Sequence, residues 1–356
     1  MKKGYPILMA IRLLPFRAVR PKWRFRQRLF ADSPMYKLLL VLFASLTSVG
    51  LAESYHITVL VKSTAAPYWD IVRGGVDKAR TELKTAGVDL DLKWDGPKSE
   101  EDVAGQIRLV QEAVKNHVQG IVIAPCDTNA LVPAVKAAAD AGIPTCVIDS
   151  GLKAAGQISF IATDNYKGGV LGARRIGALL EGKGKAVLLH AQKGAGATEA
   201  REQGFLDTMK SHYPNIQVLT TDRYAGGTYE SSEIAAAEVV KQLGKEMDAV
   251  FACNDITNHG ALHALKTAGL AGKVKLVGFD ASPETLEAIK AGEMQGTIVQ
   301  NPVLMGYLGV KTLVTHLQGK PVEKEIDTGC ALVTRDNLEK PAILELLGGK
   351  TPSPSP

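Results

Sequence analysis

Short apolar runs alternate with segments of helical spacing from residue 54 onward, and no other feature of the chain constrains its fold as strongly. In the segment 68–85, for example, Ile71, Gly75, Ala79 and Leu83 fall on one stripe. Because strands and helices exchange places at this interval, the sequence predicts βαβ units, parallel sheets and right-handed crossovers. Strands are predicted at 57–61, 88–94, 120–124, 146–148, 158–162, 186–190, 216–220, 249–252, 275–279 and 296–299.

The alternation changes once, in the stretch 142–169, GIPTCVIDSGLKAAGQISFIATDNYKGG. The apolar run 146–148 indicates a buried strand that delivers Asp149 at its carboxyl end, the edge of an open α/β sheet at which ligands bind. The next run, 158–162, leads through Asp164 into a glycine-containing helical segment. We therefore expect the chain to cross here from one sheet to another, with a cleft beside the crossover.

The first 52 residues are typical of a leader. Lys37 precedes the apolar run LLLVLFASLTSVGLA, which is too short for a membrane span and ends in small residues, so a secretory signal cleaved between Ala52 and Glu53 is predicted. Met35 lies directly before this signal, so residues 1–34 are either an overlong charged leader or the product of a start codon placed too far upstream. An uncleaved amphipathic anchor is the alternative. A lipid anchor is not expected, because no cysteine follows the apolar run.

The formal net charge of +5 does not describe the body of the chain. Ten of the 42 Lys and Arg residues precede residue 53, whereas only one of the 37 Asp and Glu residues does. The other 304 residues carry 32 basic and 36 acidic side chains, a net of −4, which argues against a nucleic-acid surface. Their number suits two lobes of about 150 residues each.

The four cysteines, Cys126, Cys146, Cys253 and Cys330, all lie in this exported body, so a disulfide has to be considered. If the strands that end at Cys126 and Ser150 are neighbours with level ends, Cys146 lies about four residues back from Cys126, a distance of roughly 13 Å that is too far for a bridge. We therefore predict buried free thiols that behave as small apolar residues.

Polar and aromatic side chains follow the predicted strands of both halves, at the edge where parallel strands end. Such a mixture suits a sugar, because each buried hydroxyl needs a donor and an acceptor and the apolar ring face packs on an aromatic plane. Two of the candidates, Asn254 and Asp280, have a second interpretation as helix caps. The candidate ligand-binding residues are Lys62, Tyr68, Trp69, Asp149, Arg201, Tyr224, Asn254, Asp280 and Gln300.

Seven segments, STAAPYW, GIPTCVIDS, FIATDN, ARE, FACND, VGFD and TIVQ, occur in this order between about residues 55 and 340. Together they resemble the periplasmic sugar-binding proteins of the ribose and allose type. The resemblance implies a type I periplasmic binding protein, in which two Rossmann-like α/β lobes joined by three hinge crossovers close on a monosaccharide and present it to an ABC permease. We place the hinges near Asp164, Asn301 and Thr328.

The same resemblance sets the predicted bounds of the lobes. The first lobe comprises 53–163 plus 302–328, and the second comprises 164–301 plus 329–347. The leader and signal occupy 1–52. The tail 348–356, which contains TPSPSP, is predicted to be disordered.

The resemblance also assigns roles to individual positions. Tyr68 and Trp69 match the aromatic pair beside the sugar, Asp149 the first-lobe carboxylate and Arg201 the second-lobe guanidinium. Lys62 matches a lysine of the allose type, Tyr224 an aromatic position, and Asn254, Asp280 and Gln300 the polar contacts.

Two departures from the family pattern put ribose itself in doubt. Ala66 stands where an asparagine usually bonds the sugar, and Ser150 stands where the ribose type has an arginine. The loss of two strong donors alters the pocket, so the expected ligand is a pentose, a hexose or a sugar alcohol.

The predicted function is thus that of an exported, monomeric solute-binding protein of the periplasm, without catalysis, cofactor or metal. The alternative is a sensor that presents the same closed form to a chemoreceptor or a histidine kinase. An enzyme on a nucleotide-binding sheet is disfavoured, because Gly194-x-Gly196 is followed by Glu199 instead of a third glycine. His259 and His263 are four residues apart, but a solvated helix face is favoured over a metal site.

Overall fold

The computed structural model describes residues 53–153, 156–219 and 223–347. The predicted leader up to Ala52, with its cleavage site, and the predicted 348–356 tail lie outside these ranges. Among the helices within the described ranges, none is long and apolar enough to cross a membrane.

Strands and helices alternate through these ranges, and each predicted strand is present within a few residues of its predicted bounds. The strands are β1 (Glu53–Leu60), β2 (Val88–Asp95), β3 (Gly120–Ile123), β4 (Thr145–Ile148), β5 (Ser159–Ala162), β6 (Gly184–Leu189), β7 (Ile216–Leu219), β8 (Ala249–Ala252), β9 (Lys275–Phe279), β10 (Gly296–Gln300), β11 (Glu325–Asp327) and β12 (Cys330–Val333). The helices are α1 (Tyr68–Thr85), α2 (Val103–Lys115), α3 (Val132–Asp140), α4 (Asn165–Leu179), α5 (Gly196–His212), α6 (Tyr229–Leu243), α7 (Asp255–Thr267), α8 (Pro283–Ala291), α9 (Pro302–Leu317) and α10 (Pro341–Leu346).

The strands form two sheets, whose orders are β11-β5-β4-β3-β1-β2 and β12-β10-β9-β8-β6-β7. Neighbouring strands are parallel, except that β12 runs antiparallel to β10. We call the part of the chain built on the first sheet the first lobe and the part built on the second sheet the second lobe. The predicted two-lobed α/β fold is confirmed, although the short strands β11 and β12 were not predicted.

The chain passes between the two sheets three times, from β5 to α4, from β10 through α9 to β11, and from β11 to β12. These passages lie at the predicted hinges near Asp164, Asn301 and Thr328. Asp164 and Asn301 each cap the helix that follows them. Asp327 Oδ1 accepts hydrogen bonds from the main-chain N–H of Asp164 at 3.2 Å and of Gly329 at 2.8 Å, so the first and third passages are held together.

Helix pairs in both lobes pack through glycine. In the first lobe a Cβ added at Gly75 of α1 would lie 1.9 Å from the carbonyl oxygen of Val303 of α9. In the second lobe a Cβ added at Gly169 of α4 would lie 1.9 Å from the carbonyl oxygen of Arg201 of α5. Because only glycine permits this approach, Gly169 fixes how far the backbone of Arg201 sits from α4.

The four cysteines are free, as predicted. Val122 of β3 pairs with Cys146 of β4, which puts Cys126 four residues beyond the pairing position and out of bridging reach. Cys126, Cys146 and Cys253 are buried, but Cys330 is partly exposed, so the prediction of burial was wrong for Cys330. Burial raises the pKa of the Cys146 thiol to about 12, which suits an inert apolar residue.

Candidate functional site

The carboxyl ends of both sheets border one cavity of about 30 Å³ between the lobes. Eight of the nine predicted ligand-binding residues line it, and Tyr224 does not. The lining residues are Lys62, Ala66, Tyr68, Trp69, Glu100, Asp149, Ala197, Thr198, Arg201, Asn254, Asp255, Ile256, Asp280 and Gln300. Residues that are up to 238 positions apart in the chain, from Lys62 to Gln300, therefore meet in one place.

Asp149 directly follows β4 and is the centre of the first-lobe wall. Its backbone φ of 63° turns the side chain away from the strand direction, and the residue is 3% exposed. One carboxylate oxygen lies 2.9 Å from Lys62 Nζ, and the other accepts a hydrogen bond from the Tyr68 hydroxyl at 3.1 Å. Burial by itself raises the pKa of Asp149, but the cations Lys62 and Arg201 outweigh burial and hold that pKa below its usual value. Asp149 is thus an acceptor that is charged at neutral pH.

Asp280 directly follows β9 and is buried in the second-lobe wall, with a φ of 65°. Its oxygens accept hydrogen bonds from the main-chain N–H of Asp255 at 3.1 Å and from Gln300 Nε2 at 2.7 Å. Burial raises the pKa of Asp280 to about 7, against the opposing effects of Arg201 and of the Gln300 hydrogen bond. Its interpretation as a helix cap was wrong, since Ser282 caps α8.

Arg201 is held rigidly in the cavity wall. Its guanidinium carbon lies 3.7 Å from the ring centroid of Phe279. Nε donates to Asn165 Oδ1 at 2.8 Å, and Nη1 donates to the carbonyl oxygen of Cys253 at 3.0 Å. Three contacts thus fix the plane of the guanidinium before any ligand arrives.

Two buried polar atoms of the cavity residues have no hydrogen-bond partner within the described ranges. One is the donor Arg201 Nη2, and the other is the acceptor Gln300 Oε1. Unsatisfied buried polar atoms are rare and costly, because they have lost water without gaining a partner. A hydroxyl group can accept from the first atom and donate to the second, so the pair fits a polyhydroxylated ligand.

Tyr68 and Trp69 form the aromatic part of the cavity. Their rings meet edge to face with centroids 5.1 Å apart. Trp69 is buried and donates its indole N–H to Glu100 at 3.0 Å. The Tyr68 hydroxyl, besides donating to Asp149, accepts from Gln300 Nε2 at 3.3 Å and thereby joins the two lobes.

Asn254 is both a helix cap and a residue of the cavity wall, the two roles that the sequence allowed. Its side chain caps α7 by accepting from the Thr257 N–H at 2.9 Å, and the residue also lines the cavity. Tyr224 instead lies after β7, 40% exposed, with its ring 5.3 Å from that of His190 and its chain bridged to the same residue. The structure therefore does not bring Tyr224 into the cavity.

Glu100 and Asp255 line the cavity but were not predicted from the sequence. Asp255 accepts a hydrogen bond from the Tyr229 hydroxyl, and burial raises the pKa of Asp255. Glu100 lies in the loop between β2 and α2, where neither periodicity nor a strand end marks a position. A carboxylate directly after Asn254 was a usable signal for Asp255, but no local signal marked Glu100.

The remaining motifs have other roles. Gly194 contacts the first lobe, since the Thr128 N–H donates to its carbonyl oxygen at 2.8 Å and a Cβ added to Gly194 would lie 1.9 Å from Asp127 Oδ2. His259 lies between two carboxylates, 2.8 Å from Glu233 and 3.1 Å from Glu284. The described residues include no group of His, Cys, Asp and Glu that would hold a metal ion.

Comparisons with known proteins agree with this architecture. Residues 57–321 match the family model of the periplasmic binding protein domain. The ribose import binding protein of Haemophilus influenzae is 29% identical over 307 residues, which cover 84% of this chain and 100% of that protein. The D-allose-binding periplasmic protein of Escherichia coli is 30% identical over 279 residues, covering 75% and 86% respectively.

Solved structures show the same likeness. A carbohydrate transporter solute-binding protein from Agrobacterium radiobacter, in complex with D-arabinose, matches with a TM-score of 0.78 and 36% identity over 83% of this chain and 99% of that one. An ABC transporter solute-binding protein from Agrobacterium vitis with bound D-fucose matches with a TM-score of 0.77 and 34% identity, covering 81% and 98%.

Proposed function

Because this chain belongs to the periplasmic binding protein family, we propose that it captures a monosaccharide or sugar alcohol in the cavity between its lobes and delivers it to an ABC importer. The single observation that supports this most directly is the pair of unsatisfied atoms, Arg201 Nη2 and Gln300 Oε1. Relatives named as import binding proteins favour delivery to a permease over the sensor alternative.

The proposed ligand-binding residues are the eight predicted ones that line the cavity, without Tyr224. Lys62, Asp149 and the aromatic pair form the first-lobe wall, and the others form the second-lobe wall. Charge-assisted hydrogen bonds to these groups are worth roughly 1.5–3 kcal/mol each once water is excluded. Members of this family are transport components, and we propose that this chain likewise catalyses no reaction.

A volume of about 30 Å³ is far below the roughly 300 Å³ at the lower end of small-molecule sites. We propose that the lobes, with the bounds predicted above, separate about the three crossovers to admit the ligand. A ligand that touches both walls then favours the closed form, because only a difference in affinity shifts a conformational equilibrium. We further propose that the chain acts in the periplasm after cleavage between Ala52 and Glu53.

A thermal-shift screen of the exported protein against D-ribose, D-allose, D-arabinose, D-fucose and xylitol tests the function. A ligand that binds only the native state at 100 times its Kd adds about 2.7 kcal/mol to the free energy of unfolding, so at least one sugar should raise Tm by several degrees. A screen without any shift, confirmed by calorimetry, would contradict the proposal.

A further inference from the structure

Glu100 lies where the cavity meets the contact between the lobes. It is 9% exposed, and its side chain lines the cavity. Its main chain touches the second lobe, since its carbonyl oxygen accepts from Gln192 Nε2 at 3.1 Å and its N–H donates to the Gly227 carbonyl oxygen at 3.4 Å. The position of this carboxylate in the cavity therefore depends on the closed arrangement of the lobes.

The carboxylate of Glu100 is only partly compensated by the protein. Oε1 accepts from Trp69 Nε1 at 3.0 Å, and among the described residues none donates a hydrogen bond to Oε2. Burial raises the pKa of Glu100, while the charge of Lys62 and the indole N–H oppose that rise. Oε2 is not one of the fully buried unpaired atoms of the described residues, so it remains accessible to a ligand. A largely buried carboxylate with one donor is poorly stabilised, because bulk water would supply several.

The other polar groups of the first-lobe wall are already paired. Lys62 Nζ is bound to Asp149, and the second oxygen of Asp149 accepts from Tyr68. Ala66 presents only a methyl group to the cavity. Oε2 of Glu100 is thus the acceptor on this wall that still lacks a donor.

Resting on the proposed function, we propose that Glu100 is a ligand-binding residue whose Oε2 accepts a hydrogen bond from one hydroxyl of the sugar while Oε1 holds the Trp69 ring. The protein then selects polyols in which this hydroxyl is present and unsubstituted. The contact forms only in the closed state, because the Glu100 main chain docks on the second lobe.

Calorimetry with Glu100→Gln tests the proposal. The variant keeps an acceptor for Trp69 but removes the charge and places an amide group at one of the two oxygen positions. The probe is whichever of D-ribose, D-allose, D-arabinose, D-fucose and xylitol binds the wild-type protein most tightly. We expect its Kd to rise about 10- to 100-fold, as loss of a charge-assisted hydrogen bond implies. Glu101→Gln, at the exposed neighbouring position, should leave the Kd unchanged.

Monodeoxy derivatives of the probe separate ligand contact from a merely structural role. One derivative should bind the wild-type protein as weakly as the probe binds Glu100→Gln, and should lose no further affinity in the variant. The role of Glu100 would be overturned if the variant and the wild type bound the probe with equal affinity. It would also be overturned if Glu100→Gln weakened the binding of every derivative by the same factor as it weakened binding of the probe. Either result would leave the proposed function intact. If no sugar binds the wild-type protein, the function fails and this inference fails with it.

Discussion

In the first lobe Asp149 follows β4, and in the second lobe Asp280 follows β9, which occupies the same place in the order of its sheet. Their backbone φ angles, 63° and 65°, are nearly equal. Their surroundings differ, since Lys62 lies 2.9 Å from Asp149, whereas Asp280 receives its hydrogen bonds from neutral groups. The two carboxyl groups therefore differ in pKa although their backbones match. The pKa of Asp149 is held below its usual value, whereas burial raises the pKa of Asp280 to about 7.

The difference originates just beyond β1 and β6, the first strand of each sheet along the chain. The second residue after β1 is Lys62, which reaches the cavity, whereas the second residue after β6 is the buried Ala191. His190, directly after β6, lies 2.6 Å from Glu202 instead. The first lobe thus offers a fixed anionic acceptor, and the second offers a carboxyl group whose charge changes near neutral pH. The repeated fold places Asp149 and Asp280 at equivalent strand ends, and Lys62 beside Asp149 accounts for the difference in their charge.

Removal of Arg201 should have the largest effect, because its guanidinium acts on both carboxyl groups. We expect Arg201→Ala to weaken sugar binding at least about 30-fold, since truncation within a buried charged pair costs 2 kcal/mol or more. Calorimetry with the sugar found in the screen measures the effect. Arg174→Ala, at an exposed position on α4, is the matched control, and comparable affinities of the two variants would refute the assignment of Arg201.

Asp149→Asn and Asp280→Asn should change stability differently between pH 5 and pH 8, because only Asp280 titrates in this range. Folded Asp280 binds a proton up to about pH 7, whereas the unfolded group releases it near pH 4, so wild-type stability falls between these values as pH rises. Asp280→Asn removes this fall, and its stability relative to wild type should improve from pH 5 to pH 8. Asp149→Asn leaves Lys62 buried without its anion and should lose about 3 kcal/mol already at pH 5.

Urea unfolding of the two variants and the wild type at pH 5, 6, 7 and 8 gives these differences. Asp149 has a lowered pKa and stays ionised across this range, so its own contribution is lost only in stronger acid, as pH falls through that pKa. Parallel curves for Asp280→Asn and the wild type would show that the two carboxyl groups are electrostatically alike.

The smallest effect on sugar binding is expected at Tyr224, because this residue does not line the cavity. The aromatic residues that do line it, Tyr68 and Trp69, both belong to the first lobe. Tyr224→Ala should change the Kd by less than about twofold, as surface substitutions away from a site usually do. Asp149→Asn should weaken binding far more in the same calorimetric series. A tenfold loss in Tyr224→Ala would place the ligand beyond the cavity described above.

Ligands bind at the carboxyl ends of parallel strands, and this explains which site residues could be predicted from the sequence. Asp149, Asn254, Asp280 and Gln300 each lie at or just beyond the carboxyl end of a parallel strand, so their shared edge follows from the strand pattern. Glu100 could not be found this way, because its place depends on a loop that folds onto the opposite lobe. Tyr224 does not line the cavity, because its main chain bridges to His190.

The sequence by itself determined the alternation of strands and helices, the crossover points and the edge at which the polar side chains collect, because periodicity and turn residues act over a few positions. Only the tertiary structure decided which of the two aspartates stays charged and which atoms remain unsatisfied. A pKa depends on burial and on charges within a few ångströms. Lys62 and Asp149 become neighbours only when the first lobe is folded, and Arg201 approaches them from the second lobe.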